Sequence, residues 1–112
     1  MKLAVIGSRS FTDHTLLTTI LNNQKLVSCI ISGGAPGADS LAEQWANYNN
    51  IKTEIFLPNW KLYGKKAGIM RNIQIIESSD ACIAFWDGIS KGTKHSISLC
   101  KRYKKPCTII KI

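Results

Sequence analysis

The stretch that decides the fold is Ser32–Ala46, with the sequence SGGAPGADSLAEQWA. Three apolar residues precede it and predict the end of a strand, and its glycines and proline predict a tight turn. Leu41, Ala42 and Trp45 then recur at helical spacing, which predicts a helix. We therefore expect a strand, a glycine turn and a helix in direct succession.

A turn of this kind favours an anion at the start of the following helix. It leaves backbone N–H groups without partners, and the helix dipole attracts negative charge there. Gly33, Gly34 and Gly37 would let a ligand approach the backbone closely, because they carry no Cβ. The alternative is a glycine-rich connection between strand and helix that binds nothing.

The bulk composition is that of a single globular domain spanning residues 1–112. The chain has 45% hydrophobic and 20% charged residues and a net charge of +8, which suits an anionic partner or, alternatively, a solvated lysine-rich face. No apolar run approaches the roughly 20 residues that cross a bilayer, and Met1–Phe11 has too short an apolar core for a signal peptide. We expect a cytoplasmic protein that does not contact a membrane.

The four cysteines are expected to be free thiols. Three of them fall in apolar runs typical of strands, Cys100 falls on the last predicted helix, and none stands in a CxxC pair or near a histidine at metal-ligand spacing. The sequence therefore predicts small buried thiols in a reducing compartment, with no metal and no cofactor.

Five apolar strands alternate with helices along the chain. Such a pattern predicts an α/β fold, a Rossmann-like doubly wound parallel sheet of five strands with helices on both faces. The predicted strands are 2–6, 28–32, 53–57, 81–86 and 107–112, and the predicted helices begin near Thr12 or Asp13, Ala38, Lys66 and Thr93. The segment PNWKLYGKK, after the third strand, is expected to be a loop.

Three glycine-containing loops follow strands of this sheet and should meet at one edge. They are Gly7-Ser8-Arg9, the stretch from Gly33 to Asp39, which includes Ala35 and Ala38, and Asp87-Gly88-Ile89-Ser90-Lys91-Gly92-Thr93. Ligands of doubly wound sheets bind outside the carboxyl ends of the strands. Three such loops on one edge favour a ligand site more strongly than one loop does.

Several familiar motifs are absent, which excludes common classes of enzyme. The chain has no GxxxxGK[ST], no GxGxxG and no GxSxG. Near the expected site the carboxylates are few: Asp39 suits the first turn of its helix, and Glu43 or Asp87 could face a ligand. Both histidines fall at helix starts, where a surface role is ordinary.

Basic and aromatic residues next to the predicted site could contact a nucleotide. Arg71 offers a planar fork for a phosphate, and Asn72 offers an amide for a ribose or a base edge. Trp60 and Tyr63 could stack on a base. The alternatives are a surface ion pair for Arg71, and core or interface packing for the two aromatic residues.

Four motifs occur in order across nearly the whole chain, and together they closely resemble the YspA-like family: GSRSF, SGGAPGADSLAEQWA, NWKLYGKKAGIMRN and AFWDGISKGT. That family belongs to the SLOG superfamily, with the DNA-processing protein DprA and the LOG phosphoribohydrolases. The resemblance implies a Rossmann-like domain that binds nucleotides or nucleotide-derived ligands. It also implies a link to bacterial conflict systems, where SLOG domains look like sensors of NAD-related signals.

The resemblance implies roles for each loop. Gly7, Ser8 and Arg9 would line the first loop, and Arg71 and Asn72 would reach the ribose and phosphate. The two phosphate loops would be formed by Gly33, Gly34, Gly37, Ala38 and Asp39 and by Gly88, Ser90, Gly92 and Thr93. One departure is that the catalytic glutamate of the LOG motif PGGxGTxxE falls on Ser96, which leaves Glu43 or Asp87 as the acid beside Arg71.

Three functions follow as hypotheses. The first is a module that senses or sequesters an anionic nucleotide derivative related to ADP-ribose or NAD, without turning it over, in phage defence or anti-defence. The second is a LOG-like nucleoside-monophosphate N-glycosidase that uses Arg71 with Glu43 or Asp87. The third is DprA-like binding of single-stranded DNA by the basic last helix.

The expected partners are a small nucleotide derivative and further copies of the chain. The relatives implied by the resemblance are commonly dimers, and Trp45 or Tyr48 could supply the apolar contact of a homo-oligomer or could belong to the core. The abundance of lysine, asparagine and isoleucine suits an AT-rich bacterial or phage genome.

Overall fold

The computed structural model describes residues 1–112 and contains one sheet of five parallel strands. The strands are β1 (Lys2–Gly7), β2 (Cys29–Ser32), β3 (Lys52–Ile55), β4 (Ala81–Trp86) and β5 (Cys107–Lys111). Their order is β3-β2-β1-β4-β5, with Leu3 opposite Ile30 on one side and opposite Ala81 on the other. This confirms the doubly wound, Rossmann-like α/β fold.

Five α-helices connect the strands. They are α1 (His14–Asn22), α2 (Ala38–Tyr48), α3 (Trp60–Tyr63), α4 (Ala67–Ser78) and α5 (Lys91–Arg102), with a 3₁₀ turn at Gly64–Lys66 between α3 and α4. Asp13, the second of the two proposed caps of α1, is its N-cap, because its carboxylate accepts the Leu16 N–H at 3.0 Å.

The prediction that PNWKLYGKK is a loop was wrong, because the segment contains α3 and the 3₁₀ turn. The Asn59 side chain accepts the Leu62 N–H at 3.0 Å and caps the single turn of α3. Boundaries also differ. β3 starts and ends earlier than predicted, and α5 starts two residues earlier. α5 ends at Arg102, because Lys104 takes a left-handed φ of 57° and the Lys105 N–H donates to the Cys100 carbonyl.

Two apolar layers enclose the sheet because successive strand side chains point to opposite faces. On one face, α1 and α2 pack over Val5 and Phe85, contributing Leu17, Ala42 and Trp45. On the other face, α4 and α5 pack over the alternate strand residues, with Ile76 and Leu99 among those buried.

The strand order places a crevice between β1 and β4. The connection after β1 runs through α1 towards β2, whereas the connection after β4 runs through α5 towards β5, so the two loops diverge at the carboxyl edge of the sheet. Such a switch in strand order is where doubly wound sheets hold their ligands.

None of the helices combines the length and the apolar character that a bilayer span requires.

Candidate functional site

A cavity of about 480 Å³ opens at the carboxyl ends of β1 and β4. It is lined by loops from three strands and by the side of α4 that faces them. Of the residues singled out in the sequence, those lining it are Gly7, Ser8, Arg9, Ala35, Asp39, Arg71, Asn72, Asp87, Ser90, Gly92 and Thr93. Its wall also includes residues that the sequence did not single out as ligand contacts: Ile6, Ser10, Ile75 and Ser96.

Other predicted residues support the cavity without lining it. Gly33, Gly34, Gly37, Ala38 and Gly88 are not part of its wall, although their loops are. Gly37 begins α2 with a φ of 84°, and a Cβ built on it would stand 2.3 Å from the Ser8 carbonyl oxygen. Glycine is therefore required where the first loop crosses the start of α2.

The expectation of bare N–H groups in the central turn is wrong for three of them. The carboxylate of Asp39 turns back and accepts the N–H groups of Gly33 at 3.0 Å and Ala35 at 3.3 Å, while the Ser32 hydroxyl accepts the Gly34 N–H at 3.2 Å. The Ala38 N–H points to the Ser8 carbonyl at 3.5 Å. The turn therefore already holds an anion of its own, the side chain of Asp39.

Burial raises the pKa of Asp39 to about 6, although its bonds from Ala35 and Gly33 and the nearby Arg71 favour the charged form. An internal carboxylate at the cavity wall is thus ionised near neutral pH and protonated in mild acid. No pattern in the sequence indicated this, because the first turn of a helix is an ordinary place for an aspartate.

Arg71 projects from α4 and ties that helix to the central turn. Its Nη1 donates to the Gly33 carbonyl at 2.8 Å, and its Nε donates to the Asn72 side-chain oxygen at 3.1 Å. Arg71 and Asp39 both pack against Gly33, since a Cβ built there would lie 2.7 Å from Arg71 Nη1 and 2.9 Å from Asp39 Oδ2. The half-buried guanidinium therefore lines the cavity in a fixed position.

The second glycine loop is organised by Asp87. Its Oδ1 accepts the N–H groups of Ile89 and Ser90, both at 2.8 Å, and these bonds lower the pKa of Asp87. The first bond of α5 runs from the Lys94 N–H to the Ser90 carbonyl at 3.1 Å. The N–H groups of Lys91, Gly92 and Thr93 therefore precede the helical bonding pattern and remain available, as at the start of any α-helix.

Ser8 contributes the one buried polar side-chain atom without a partner. Its hydroxyl lies at the cavity wall, and the residue is 2% exposed. The hydroxyl oxygen makes no hydrogen bond of ordinary length and angle, although it is close enough to Asp87 to help lower the pKa of that carboxyl. A buried hydroxyl normally has a hydrogen-bond partner. The buried Ser8 hydroxyl is therefore available to a ligand in the cavity.

Of the two carboxylates proposed for catalysis, Asp87 lines the cavity and Glu43 does not. Glu43 does not line the cavity, and its Oε2 accepts the Ser32 hydroxyl at 2.6 Å behind the central turn. Asp87 lines the cavity but is held ionised by two backbone N–H groups. Ser96, which stands where LOG enzymes have glutamate, lies in the wall with 4% exposure.

Trp60 and Tyr63 do not line this cavity. Trp60 is 57% exposed on α3. Tyr63 lines a separate groove of about 300 Å³, and most of the residues that line this groove are hydrophobic. Arg71 is the one residue that borders both the groove and the cavity. The remaining apolar side chains of the groove are Ile55, Phe56, Leu57, Leu62, Ala67 and Met70.

Comparisons with known proteins agree with this fold. A family model described as "YspA, cpYpsA-related SLOG family" matches residues 1–63. The "Gene 61 protein" of Mycobacterium phage D29 is 35% identical, over 84% of this chain and 83% of the phage protein. This phage relative fits the phage context that the composition suggests.

Two solved structures of DNA processing protein A (DprA) are similar. The protein from Streptococcus pneumoniae has a TM-score of 0.82 at 18% identity, over 96% of this chain and 49% of that one. The protein from Helicobacter pylori has a TM-score of 0.74 at 25% identity, over 97% of this chain and 64% of that one. The chain thus spans less than two thirds of either DprA chain. The family model covers more than half of the chain, and the chain therefore belongs to the YspA, cpYpsA-related SLOG family.

Proposed function

We propose that residues 1–112 act as one domain that binds a nucleotide-derived anion in the cavity between β1 and β4. The observation that carries this proposal is the buried, unpartnered Ser8 hydroxyl, which shares the cavity wall with the guanidinium groups of Arg9 and Arg71. The free N–H groups at the start of α5 add donors for a phosphate. A volume of about 480 Å³ is of the size that small-molecule pockets have.

The finer proposal is that the ligand is related to ADP-ribose or NAD and is sensed or sequestered intact. Donors surround the cavity, and neither of the carboxylates proposed as the acid, Glu43 and Asp87, is arranged to cleave an N-glycosidic bond. Asp87 is held ionised, Glu43 lies outside, and Asp39 already accepts two backbone N–H groups. Binding without turnover is therefore favoured over the N-glycosidase.

The test is a panel of AMP, NAD, ADP-ribose, cyclic ADP-ribose isomers and cyclic dinucleotides. Each is incubated with purified protein, the mixture is filtered, and both fractions are analysed by HPLC after heat denaturation. We expect one compound to leave the filtrate and to return unchanged. A new product peak would instead establish an enzyme, and loss of that peak in Glu43→Gln or Asp87→Asn would identify its acid.

Ser8→Ala is the variant that tests the site itself. It removes the buried hydroxyl and leaves in place the bonds that Asp87 accepts from the N–H groups of Ile89 and Ser90. We expect weaker retention of the nucleotide with unchanged thermal stability. Thr108→Ala on β5 is a matched control, because its exposed hydroxyl lies away from the cavity. Equal retention by the Ser8 variant and the wild type would contradict the proposed site.

Binding of single-stranded DNA is a second candidate, favoured by the likeness to DprA. The Helicobacter pylori protein is described as having a unique single-stranded DNA binding mode. Here α5 and the residues after it carry Lys91, Lys94, Lys101, Arg102 and Lys104, all exposed. If DNA binds this surface, its affinity falls steeply with salt because phosphate contacts release counterions. An affinity that is flat between low and physiological salt would exclude this candidate.

We also propose that the chain forms a homo-oligomer. The groove beside α3 is surrounded by exposed apolar side chains, among them Leu57 and Leu62, with exposures of 66% and 68%. Trp45 is not available for such a contact, because it is buried and its indole N–H donates to Asn22 at 2.9 Å. Tyr48, at 88% exposure, presents a rival surface on α2.

A further inference from the structure

Three of the four cysteines meet at the amino-terminal edge of the sheet, opposite the cavity. Cys82 lies near the start of β4, Cys107 begins β5, and Cys100 lies near the end of α5. Their three sulfur atoms all lie within 4.8 Å of one another. Cys82 and Cys100 are each 1% exposed and Cys107 is partly exposed, so the cluster is buried with one side towards the surface.

The backbone holds the three cysteines together. Cys82 and Cys107 are paired across β4 and β5, and the Cys82 N–H donates to the Pro106 carbonyl at 2.9 Å. The Lys105 N–H donates to the Cys100 carbonyl at 2.8 Å. The short turn between α5 and β5 is thus bonded to both sides of the cluster, and the three sulfur atoms converge without any chain rearrangement.

This geometry suits a metal ion. Zinc bonds to thiolate sulfur at about 2.3 Å, which places the sulfur atoms around one ion roughly 4 Å apart. Thiolates select soft ions such as Zn²⁺ and Cu⁺ over Mg²⁺ or Ca²⁺. The cluster is also the only group of three or more cysteine, histidine or acidic residues in the chain whose ligand atoms come this close.

Basic residues lie next to the cluster in the sequence. Three thiolates carry one negative charge in excess of Zn²⁺ and two in excess of Cu⁺. Lys101, Arg102, Lys104 and Lys105 flank the cluster in sequence, and Lys105 Nζ donates to the Ser79 carbonyl at 2.6 Å, just before β4. Nearby basic groups partly offset the excess charge that thiolates would bring into a buried site.

We propose that Cys82, Cys100 and Cys107 bind one thiophilic metal ion, Zn²⁺ or Cu⁺, through three thiolates. Binding replaces three S–H bonds with three metal–sulfur bonds and releases three protons to solvent, with no change of oxidation state. The ion would fasten the end of α5 to β4 and β5. This site is separate from the nucleotide cavity, so either proposal can fail without the other.

The test begins with reduced, metal-free protein titrated with Co²⁺ under anaerobic conditions as a spectroscopic probe. We expect intense thiolate-to-cobalt charge-transfer absorption that saturates at one ion per chain. Zn²⁺ should displace this absorption, and a separate titration with Cu⁺ against a chromogenic chelator distinguishes the two ions. Absence of a thiolate–cobalt band together with failure to retain either Zn²⁺ or Cu⁺ would overturn the proposal.

Cys107→Ala is the test variant, since Cys107 is the most exposed member of the cluster, and Cys29→Ala is its matched control. Cys29 is a buried cysteine on β2 outside the cluster. We expect Cys29→Ala to bind one ion as the wild type does and Cys107→Ala to bind at least tenfold more weakly. Equal binding by both variants would contradict the assignment of the ligands.

A second measurement uses the wild-type protein, so its result does not depend on whether a variant folds. Thiol alkylation of the wild-type protein, followed by peptide mass spectrometry, reports each cysteine separately. Saturating Zn²⁺ or Cu⁺ should slow alkylation of Cys82, Cys100 and Cys107 and leave Cys29 unaffected. Unchanged alkylation of all three with both ions would show that they are only buried thiols in the core.

Discussion

At the scale of the residue, the two arginines of the cavity differ in how they are held. Arg71 is bonded to the Gly33 carbonyl and to Asn72. Arg9 is exposed, lines the same cavity and makes no hydrogen bond or salt bridge within the protein. Arg9 is therefore free to bond to a ligand, and its removal should affect binding without affecting the fold.

Arg9→Ala is predicted to weaken AMP or ADP-ribose binding about 10- to 100-fold, the effect of losing a hydrogen bond to a charged group. Its thermal stability should equal that of the wild type. Arg102→Ala, at the far end of α5, is the matched control for the loss of one positive charge, and isothermal titration is the measurement. Equal losses in both variants would mean that only net charge matters.

Asp39 makes the cavity sensitive to pH. Because its pKa is raised to about 6, the side chain becomes an anion at the wall as the pH rises through that value. The same ionisation affects folding. A charged, buried carboxyl opposes the native state above about pH 6, and this cost of about 3 kcal/mol is relieved as the pH falls towards the ordinary aspartate pKa of 3.8.

We predict that nucleotide affinity falls as the pH rises through about 6 and that Asp39→Asn removes this part of the pH dependence. The asparagine oxygen can still accept the N–H groups of Gly33 and Ala35, so the turn should persist. Titration of the ligand phosphate is common to both proteins and cancels in the comparison. Parallel affinity profiles from pH 5 to pH 8 for the two proteins would refute the role of Asp39.

At the scale of the element, the cavity depends on how the first loop crosses α2. The Ser8 carbonyl accepts the N–H of Phe11 at 3.2 Å and that of Ala38 at 3.5 Å, and the Ser8 N–H donates to the Phe85 carbonyl at 3.1 Å. Gly37 lies against the Ser8 carbonyl. The first loop, α2 and β4 are thus fixed to one another through a single residue.

Three glycine-to-alanine variants separate strain from crowding. Gly37 has a φ of 84° and no room for a Cβ, Gly88 has a φ of 83° with open space, and Gly92 has ordinary backbone and open space. We predict that Gly37→Ala loses more than about 1 kcal/mol of unfolding free energy, Gly88→Ala less, and Gly92→Ala little or none. Urea unfolding measures all three, and equal stabilities would disprove the crowding.

The elements were largely readable from sequence because their signals are local. Apolar runs and helical spacing indicated the five strands and the four longer helices. α3 was missed, although Asn59 is a good capping residue, because a single turn has too few positions to show a period. The glycine loops were placed correctly at the sheet edge. In the central turn, Asp39 accepts the N–H groups of Gly33 and Ala35. This bonding depends on the direction of the Asp39 side chain, which residue spacing does not predict.

At the scale of the whole molecule, the apolar groove beside α3 and the exposed Tyr48 on α2 are rival surfaces for self-association. The groove borders Arg71 and hence the cavity. A contact there would place two cavities near each other in a dimer. The sequence pointed instead to Trp45 or Tyr48, because it could not show that Trp45 is bonded to Asn22 in the core.

We predict that Leu62→Lys shifts the protein towards monomer and that Tyr48→Lys does not. Both substitutions add one charge to an exposed residue, so each serves as the other's control. Size-exclusion chromatography with light scattering over a range of concentrations gives the mass directly. Dissociation by Tyr48→Lys alone would assign the interface to α2, and a monomeric wild type would remove the proposal.

The convergence of the cysteines is a further property that only the whole molecule reveals. Cys82, Cys100 and Cys107 are separated along the chain by a helix and by a turn, and their spacing matches no metal motif. Strand pairing brings two of them together and the packing of α5 adds the third. Which distant residues come together follows from the strand order and the helix packing. The sequence predicts the class of fold but not these individual contacts.

A cut in the chain between β3 and α4 would divide the residues of the ligand site between two fragments. The segment Asn59–Lys66 joins β3 to α4, so a nick there would leave one fragment with β1 to β3 and another with β4 and β5. The first fragment would carry Ser8, Arg9 and Asp39, and the second Arg71 and the start of α5. Neither fragment alone holds a complete ligand site, so nucleotide capture could serve as a signal that two separately expressed halves have found each other.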